Sequence, residues 1–370
     1  MAEKNLQWQH RDWITILAPT ILLFVIGMAV LGFYLHGSAS ARASAEKAKG
    51  GEKASSLPAD LSECADARYA SLDSLASGSR EAQERQRRTV QQLGLPLEVK
   101  TRKTGIVFRL IPPGSFTMGI PQTEQDAMVR AGVPRKLIEG LIEHQVNLSK
   151  AFYCAKFEVT QGQWEQVMES NPSHFANAGK DAPVEWVSWD NCQAFVKKLC
   201  QMEGVSEGTY RLLTEAQWEY ACRSGTTTAF CYGNDLDSRM ANFNGEYPCG
   251  NGRKGPSRQT TMAVGSFRAN AWGLYDMHGN VSEWCHDWYV TYESGVVTDP
   301  LGYPRGRSRV NRGGGWNDYA WQCGSAVGNG YPPSHVVADV GLRLARTIPP
   351  TAPSVFAAPV VTPPASESGK

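Results

Sequence analysis

Sulfur is the most abundant source of potential chemistry in this chain. Nine cysteines stand at positions 64, 154, 192, 200, 222, 231, 249, 285 and 323. They are too many to decide for the cytosol and too scattered for a small disulfide scaffold. No two cysteines form a CxxC, and no Cys/His pair has finger spacing, so a structural zinc site is not expected. The odd count leaves at least one thiol free or intermolecular. His144, His278 and His286 show no metal-ligand spacing, and His144 reads as a surface or capping residue before a strand. Gly313-Gly314-Gly315 lacks the Lys-Ser/Thr of a phosphate loop and reads as backbone packed tightly against Trp316 and its neighbours.

The elements that must position these residues lie between about 105 and 346. Thr160 and Thr214 each stand three residues before a glutamine, the arrangement in which a hydroxyl caps a helix and the glutamine reaches back. Ser188 caps a third helix carrying Ala194, Phe195 and Leu199. Short strands are expected at 106–111, 145–149, 152–158 and 341–345. Residues 225–340 are rich in Gly, Asn, Pro and Trp with little periodicity, and so require ions, disulfides or buried rings to order them.

The chain has 370 residues, 42% of them hydrophobic and 20% charged, with a formal charge of +1. That balance argues against a nucleic-acid partner. With 36 glycines and 11 tryptophans, a loop-rich fold with an irregular aromatic core is expected rather than a helical bundle. Residues 13–35 contain no charge and are long enough to cross a bilayer, whereas 1–12 form a short N-terminal tail. A cleaved signal peptide is the alternative, but the apolar run exceeds an ordinary signal core, and an uncleaved anchor is the reading adopted. Lys/Arg counts flanking the span favour a cytoplasmic C-terminal side. The exported character of the downstream domain favours an extracytoplasmic one, and the latter is preferred. Residues 36–60 read as a flexible linker, 61–104 as a helical stalk, and 347–370 as a Pro-rich disordered tail.

Seven segments in order carry a resemblance: IPPGSFTMG (111–119), FEVTQGQW (157–164), APVEWVSWDNCQAF (182–195), YRLLTEAQWEYACRSGT (210–226), NAWGLYDMHGNVSEW (270–284), NRGGGWND (311–318) and VGLRLAR (340–346). Together they resemble the formylglycine-generating enzyme, or sulfatase-modifying factor, family. The resemblance implies an α+β, loop-rich, irregular C-type-lectin-like fold over 105–346, here preceded by one transmembrane helix. Active members convert a sulfatase cysteine to formylglycine with oxygen and a copper ion on two thiolates. The matching segment here has Asp318 where the first thiol belongs, and Cys323 is the one cysteine that follows. One soft donor does not make a two-thiolate site, so copper and sulfatase activation are not expected.

The resemblance also implies a Cys222–Cys323 disulfide, and replacement of two aromatic positions by Cys231 and Cys249 suggests a second pair, or two independent small apolar residues. It implies a structural calcium on Asp276, Glu283 and the carbonyls of Gly279 and Val281, with a capped turn as the alternative. A second calcium would use Asn242 and the Phe243 carbonyl, but its aspartate is replaced near Pro256 and Ser257. Before VGLRLAR, residues 327–340 read VGNGYPPSHVVADV and recolour the groove rim. The expected function is a membrane-anchored binding or scaffold module for a protein or peptide, with Trp316, Asn317, Asp318, Tyr319, Trp321, Tyr331 and His335 as contacts. The alternative is an enzyme of altered chemistry in which Cys323 is free and works alone or with Asp318.

Overall fold

Each of the three helix starts legible in the sequence closes a reciprocal cap. The computed structural model describes residues 57–72 and 75–348. In chain order its strands are β1 (Leu61–Glu63), β2 (Glu98–Thr101), β3 (Val107–Ile111), β4 (Gly114–Met118), β5 (His144–Leu148), β6 (Phe152–Ala155), β7 (Tyr210–Leu212), β8 (Ser282–Trp288), β9 (Val296–Thr298), β10 (Arg309–Arg312), β11 (Gly328–Tyr331), β12 (Val340–Leu342) and β13 (Leu344–Arg346). The helices are α1 (Ser79–Leu93), α2 (Gln122–Arg130), α3 (Gln161–Met168), α4 (Trp189–Glu203) and α5 (Glu215–Arg223). At α3, α4 and α5 the Thr160, Ser188 and Thr214 side chains accept the N–H three residues on, and Gln163, Asn191 and Gln217 answer.

Among the described residues three sheets result, with orders β1-β2-β3-β6-β13-β7, β11-β10-β8-β12 and β4-β5-β9. The largest apolar cluster joins the first sheet to α3 and α4, where Trp164 stacks on Phe195 at 4.8 Å between ring centres. A second cluster gathers Trp218, Trp272 and Tyr220 around α5. Between β7 and β8 only α5 is regular, and the long loop is fixed by buried rings such as Trp272 and Phe243.

Residues 61–104 are not a stalk. β1 pairs with β2 and β2 with β3, which makes this segment the edge of the main sheet. Helix α1 is strongly polar, yet it buries Gln83 and Gln86, whose amides donate to the carbonyls of Ala70, Leu110 and Trp272. The end of the expected linker is also fixed: Asp60 is buried and takes a two-pronged bond from Arg346 at 3.0 and 2.9 Å, and the Tyr210 hydroxyl donates to it too. The anchor segment 13–35, the first part of the linker and residues 349–370 lie outside the described residues. No helix among the described residues is long and apolar enough to cross a membrane.

Candidate functional site

Strand β10 delivers the chain into Gly313 and Gly314, which adopt φ of 98° and 67°. A Cβ on Gly314 would stand 2.7 Å from the Cys323 sulfur, and one on Gly315 2.7 Å from the Asp339 Cβ. Glycine is required because the backbone is threaded between these two residues. The loop then turns through Trp316–Tyr319 into a single 3-10 turn, Ala320–Cys323. The turn stays in place through its neighbours: Ala320 N–H donates to Tyr247 O at 3.1 Å, and Tyr319 stacks on Tyr247 at 4.1 Å.

Beneath this loop lies a pocket of about 80 Å³, walled by Asn311, Asp318, Trp321, Gln322, Tyr331 and Asp339. Asp318 accepts the Gly315 N–H and the Gln322 amide, both at 2.9 Å. Burial, and then the charge of Asp339, push its carboxyl up to about 6. The lining residues, Arg312 among them, carry four buried polar atoms with no hydrogen-bond partner in the protein: the Asn311 Nδ2, Arg312 Nε and Arg312 Nη1 donors and the Asp339 Oδ1 acceptor. Asn311 is 2% exposed. Of the contacts expected from the sequence, Asp318, Trp321 and Tyr331 line this pocket; Asn311, Gln322 and Asp339 were not anticipated. Trp316 lies to one side, its indole donating to Ala338 O at 3.0 Å and its ring edge-on to Phe175. His335 packs against the Tyr331 ring at 5.2 Å, while Asn317 and Tyr319 are exposed.

The expected disulfides are absent. All nine cysteines are thiols. The Cys222 sulfur faces the Met277 carbonyl at 3.6 Å and the Ser325 hydroxyl at 3.6 Å, and the Cys323 sulfur faces Tyr319 O at 3.7 Å. The His278 ring lies against both residues: its Nδ1 donates to Cys323 O at 2.8 Å, and its Nε2 is 3.8 Å from the Cys222 sulfur. That Nε2 accepts the Cys231 N–H at 3.1 Å, so the ring is neutral, and burial pushes its pKa down to about 4. Cys231 is fully buried here, while Cys249 sits partly exposed, its backbone paired with Leu236. Burial pushes the Cys323 thiol well up, with Asp318 adding to the effect.

The expected calcium loop is wound tightly, with Asp276, Gly279 and Asn280 all at positive φ. Glu283 is no free ligand, for its carboxylate takes the Arg343 fork and the Trp218 indole at 2.6 Å. Asp276 accepts the Gly265 N–H at 2.6 Å, and burial pushes it up to about 6. The Val281 N–H is held by Glu158 at 3.1 Å. At the second site, Asn242 is fully buried, and its Oδ1 has no partner in the protein. Its Nδ2 donates to Thr260 O at 2.9 Å, beside the buried ring of Phe243.

Three small sheets, capped helices and a glycine-threaded loop over a polar pocket define a mixed helix-and-sheet domain whose ordered loops carry the site. Residues 97–348 match the family model of the sulfatase-modifying factor enzyme 1-like domain, and the chain belongs to that family. It is 29% identical to the chaperone protein LppX of Paenibacillus barcinonensis over 60% of this chain and 88% of that one. It is 30% identical to the formylglycine-generating enzyme of Bos taurus, over 58% of each. The chain thus spans little more than half of the bovine enzyme. Among solved structures, PvdO from Pseudomonas aeruginosa superposes with a TM-score of 0.53 at 24% identity, covering 68% of this chain and 98% of that one. Treponema denticola variable protein 1 gives 0.52 at 24%, covering 65% and 95%. At that identity the two structures establish the fold alone.

Proposed function

We propose that this chain is a binding module of its family, without the thiolate–copper oxidase chemistry, that holds a protein or peptide ligand at the pocket under the Gly315–Cys323 loop. Residues 13–35 tether it to a membrane, with the pocket on the extracytoplasmic side. The observation that carries this reading is the condition of Asp318 and Cys323. Asp318 is a hard oxygen donor already spent on Gly315 and Gln322. Cys323 is a single, fully buried sulfur whose thiolate is disfavoured. These residues do not fit a copper ion on two thiolates, and they give the enzyme alternative no activated nucleophile.

The relative named as a chaperone supports a role in which the domain holds another protein. The Asn242 Oδ1 without a partner is one oxygen donor for the structural calcium expected of the family, an ion that would pin loops and do no catalysis. Peptides displayed on phage and selected on the full chain, then counter-selected on Asp339→Ala, test the binding role. Clones that need Asp339 are expected. A selection yielding none would contradict it.

A further inference from the structure

A larger pocket, of about 370 Å³, lies where the end of β8, the start of α5 and the loop at 300–304 meet. Three carboxylates line it, Glu215, Asp287 and Glu293. Glu215 has Arg312 at 3.5 Å and accepts the Tyr292 hydroxyl at 2.6 Å, and Glu293 accepts the Tyr303 hydroxyl. Among the described residues no basic side chain pairs with Asp287 or Glu293. The arginines nearby are engaged: Arg312 bonds Glu219, Arg211 bonds Gln217 at 2.8 Å, and Arg309 stacks on Trp189 and Trp288 at 3.9 and 3.6 Å. His144, also in the lining, donates from Nδ1 to Ile142 O at 2.9 Å. Asp287 is only 5% exposed. Its Oδ2 accepts the Glu215 N–H at 2.7 Å. Its Oδ1 lies beside Gly302, where a Cβ would stand 2.6 Å away, so glycine leaves the space next to that oxygen open. A buried carboxylate without a counter-charge is costly, and a cation entering the pocket supplies one.

The mouth of this pocket is apolar. Leu301 is 72% exposed, and Val297 and Tyr303 are exposed beside it. Val297 belongs to β9, which pairs with β5 on one side and ends its sheet on the other. An open strand edge accepts an extended peptide, whose residues two apart share a face. We infer that this surface docks an extended segment of a protein ligand along β9, with a Lys or Arg side chain reaching Asp287 and apolar residues two positions away covering Val297, Leu301 and Tyr303. The apolar stem of the basic residue passes along the pocket wall while its charged end meets the carboxylate. This surface is separate from the pocket under the Gly315–Cys323 loop, and the inference does not depend on that one.

The test titrates n-butylammonium, butan-1-ol and butyrate into the full chain labelled with ¹⁵N-tryptophan. The Trp288 indole signal, assigned with Trp288→Phe, reports on the pocket. A pH of about 8 ionises Asp287, whose carboxyl is pushed up to about 7, and leaves the amine charged. Butylammonium is expected to shift the signal saturably with a Kd on the order of ten millimolar, in keeping with the limited energy available per atom of a fragment. Butanol and butyrate should bind at least ~10-fold more weakly, because neither supplies a positive charge. Asp287→Asn should reduce butylammonium binding to the level of butanol. Gly302→Ala, which keeps the charge and fills the space beside Oδ1, should do the same from an exposed loop. The peptide acetyl-Leu-Ser-Lys-Ser-Leu-amide should bind at least ~10-fold more tightly than butylammonium through its two apolar side chains, and its Glu-for-Lys analogue should not bind. Butanol binding as well as butylammonium, butylammonium binding unchanged in both variants, or an indole signal unmoved by every probe would overturn the cation site. A peptide no tighter than butylammonium would overturn the protein segment as its occupant.

Discussion

Arg343 holds Glu283 from two nitrogens, with Nε at 2.9 Å from both carboxylate oxygens and Nη2 at 2.6 Å from Oε1, and both side chains are fully buried. The pair links β8 to the short break between β12 and β13, and the same guanidinium donates to Ala155 O and Tyr275 O. Removing one member leaves an uncompensated buried charge, which costs about 3–5 kcal/mol. Arg343→Met should therefore lower stability by that order in urea titrations. Glu283→Gln keeps an acceptor for the Trp218 indole but leaves the Arg343 guanidinium buried without its counter-charge, so it should cost a similar amount. A Met variant within 1 kcal/mol of wild type would mean that the pair does not hold these strands together.

Gly314 offers a local test of the loop. Its φ of 67° and the 2.7 Å approach to the Cys323 sulfur both resist a side chain. Gly314→Ala should cost on the order of 2–3 kcal/mol in thermal or urea unfolding. Gly94→Ala, also at positive φ but with no atom nearby, should cost about 1 kcal/mol. Equal losses would show that the loop is not threaded as described.

The pH dependence follows from Asp287. Burial, then the charge of Glu215, push its carboxyl from 3.8 up to about 7, while its Oδ2 accepts the Glu215 N–H at 2.7 Å. A raised carboxyl contributes stability that is present below its unfolded value and lost as pH rises through about 7. Asp287→Asn keeps the acceptor and removes the charge. Relative to wild type, the variant should gain on the order of 2 kcal/mol between pH 5 and pH 8. A constant difference across that range would contradict the burial of an ionising group there.

Thiol accessibility separates the nine cysteines. Only Cys64 and Cys249 are partly exposed, and the other seven are buried. A thiol reagent applied to the native, non-reduced chain should modify Cys64 and Cys249 first and the rest on unfolding. Recovery of a Cys222–Cys323 peptide from the non-reduced digest would restore the pairing that the structure does not contain.

Elements whose signal is local were legible in the sequence. Thr160, Ser188 and Thr214 marked their helices because each cap needs only a hydroxyl and a partner three residues on. The strands at 106–111, 145–149 and 152–158 were placed to within a few residues, and 341–345 proved to be two short strands parted at Arg343. The triple glycine was read as close packing, and the Cys323 and Asp339 contacts bear this out.

What the sequence hid depends on distant partners. Helix α1 buries polar amides against backbone carbonyls, so hydropathy marks it as solvent-facing, and 61–104 was read as a stalk although its helix beyond Gly78 was expected. Asp60 and Arg346 are 286 residues apart, and no spacing rule reaches that far. The spacing of cysteines carried no information about where their sulfurs point, and here the His278 ring lies against both Cys222 and Cys323. Trp321 and Tyr331 were found because rings on a loop are conspicuous. Asn311 and Asp339 were missed because nothing local distinguishes an unpaired amide or carboxylate from a paired one.

The measurement that bears most directly on the central claim is turnover of a sulfatase-derived cysteine peptide by the full chain with Cu(I), oxygen and a thiol reductant. Mass spectrometry of the peptide reads conversion of the cysteine thiol to the formylglycine aldehyde. With Asp318 bonded to Gly315 and Gln322 and a single buried sulfur at Cys323, the peptide should be recovered unchanged. Copper-dependent formylglycine, abolished by Cys323→Ser, would show that the oxidase centre is intact and that this domain is not only a binder.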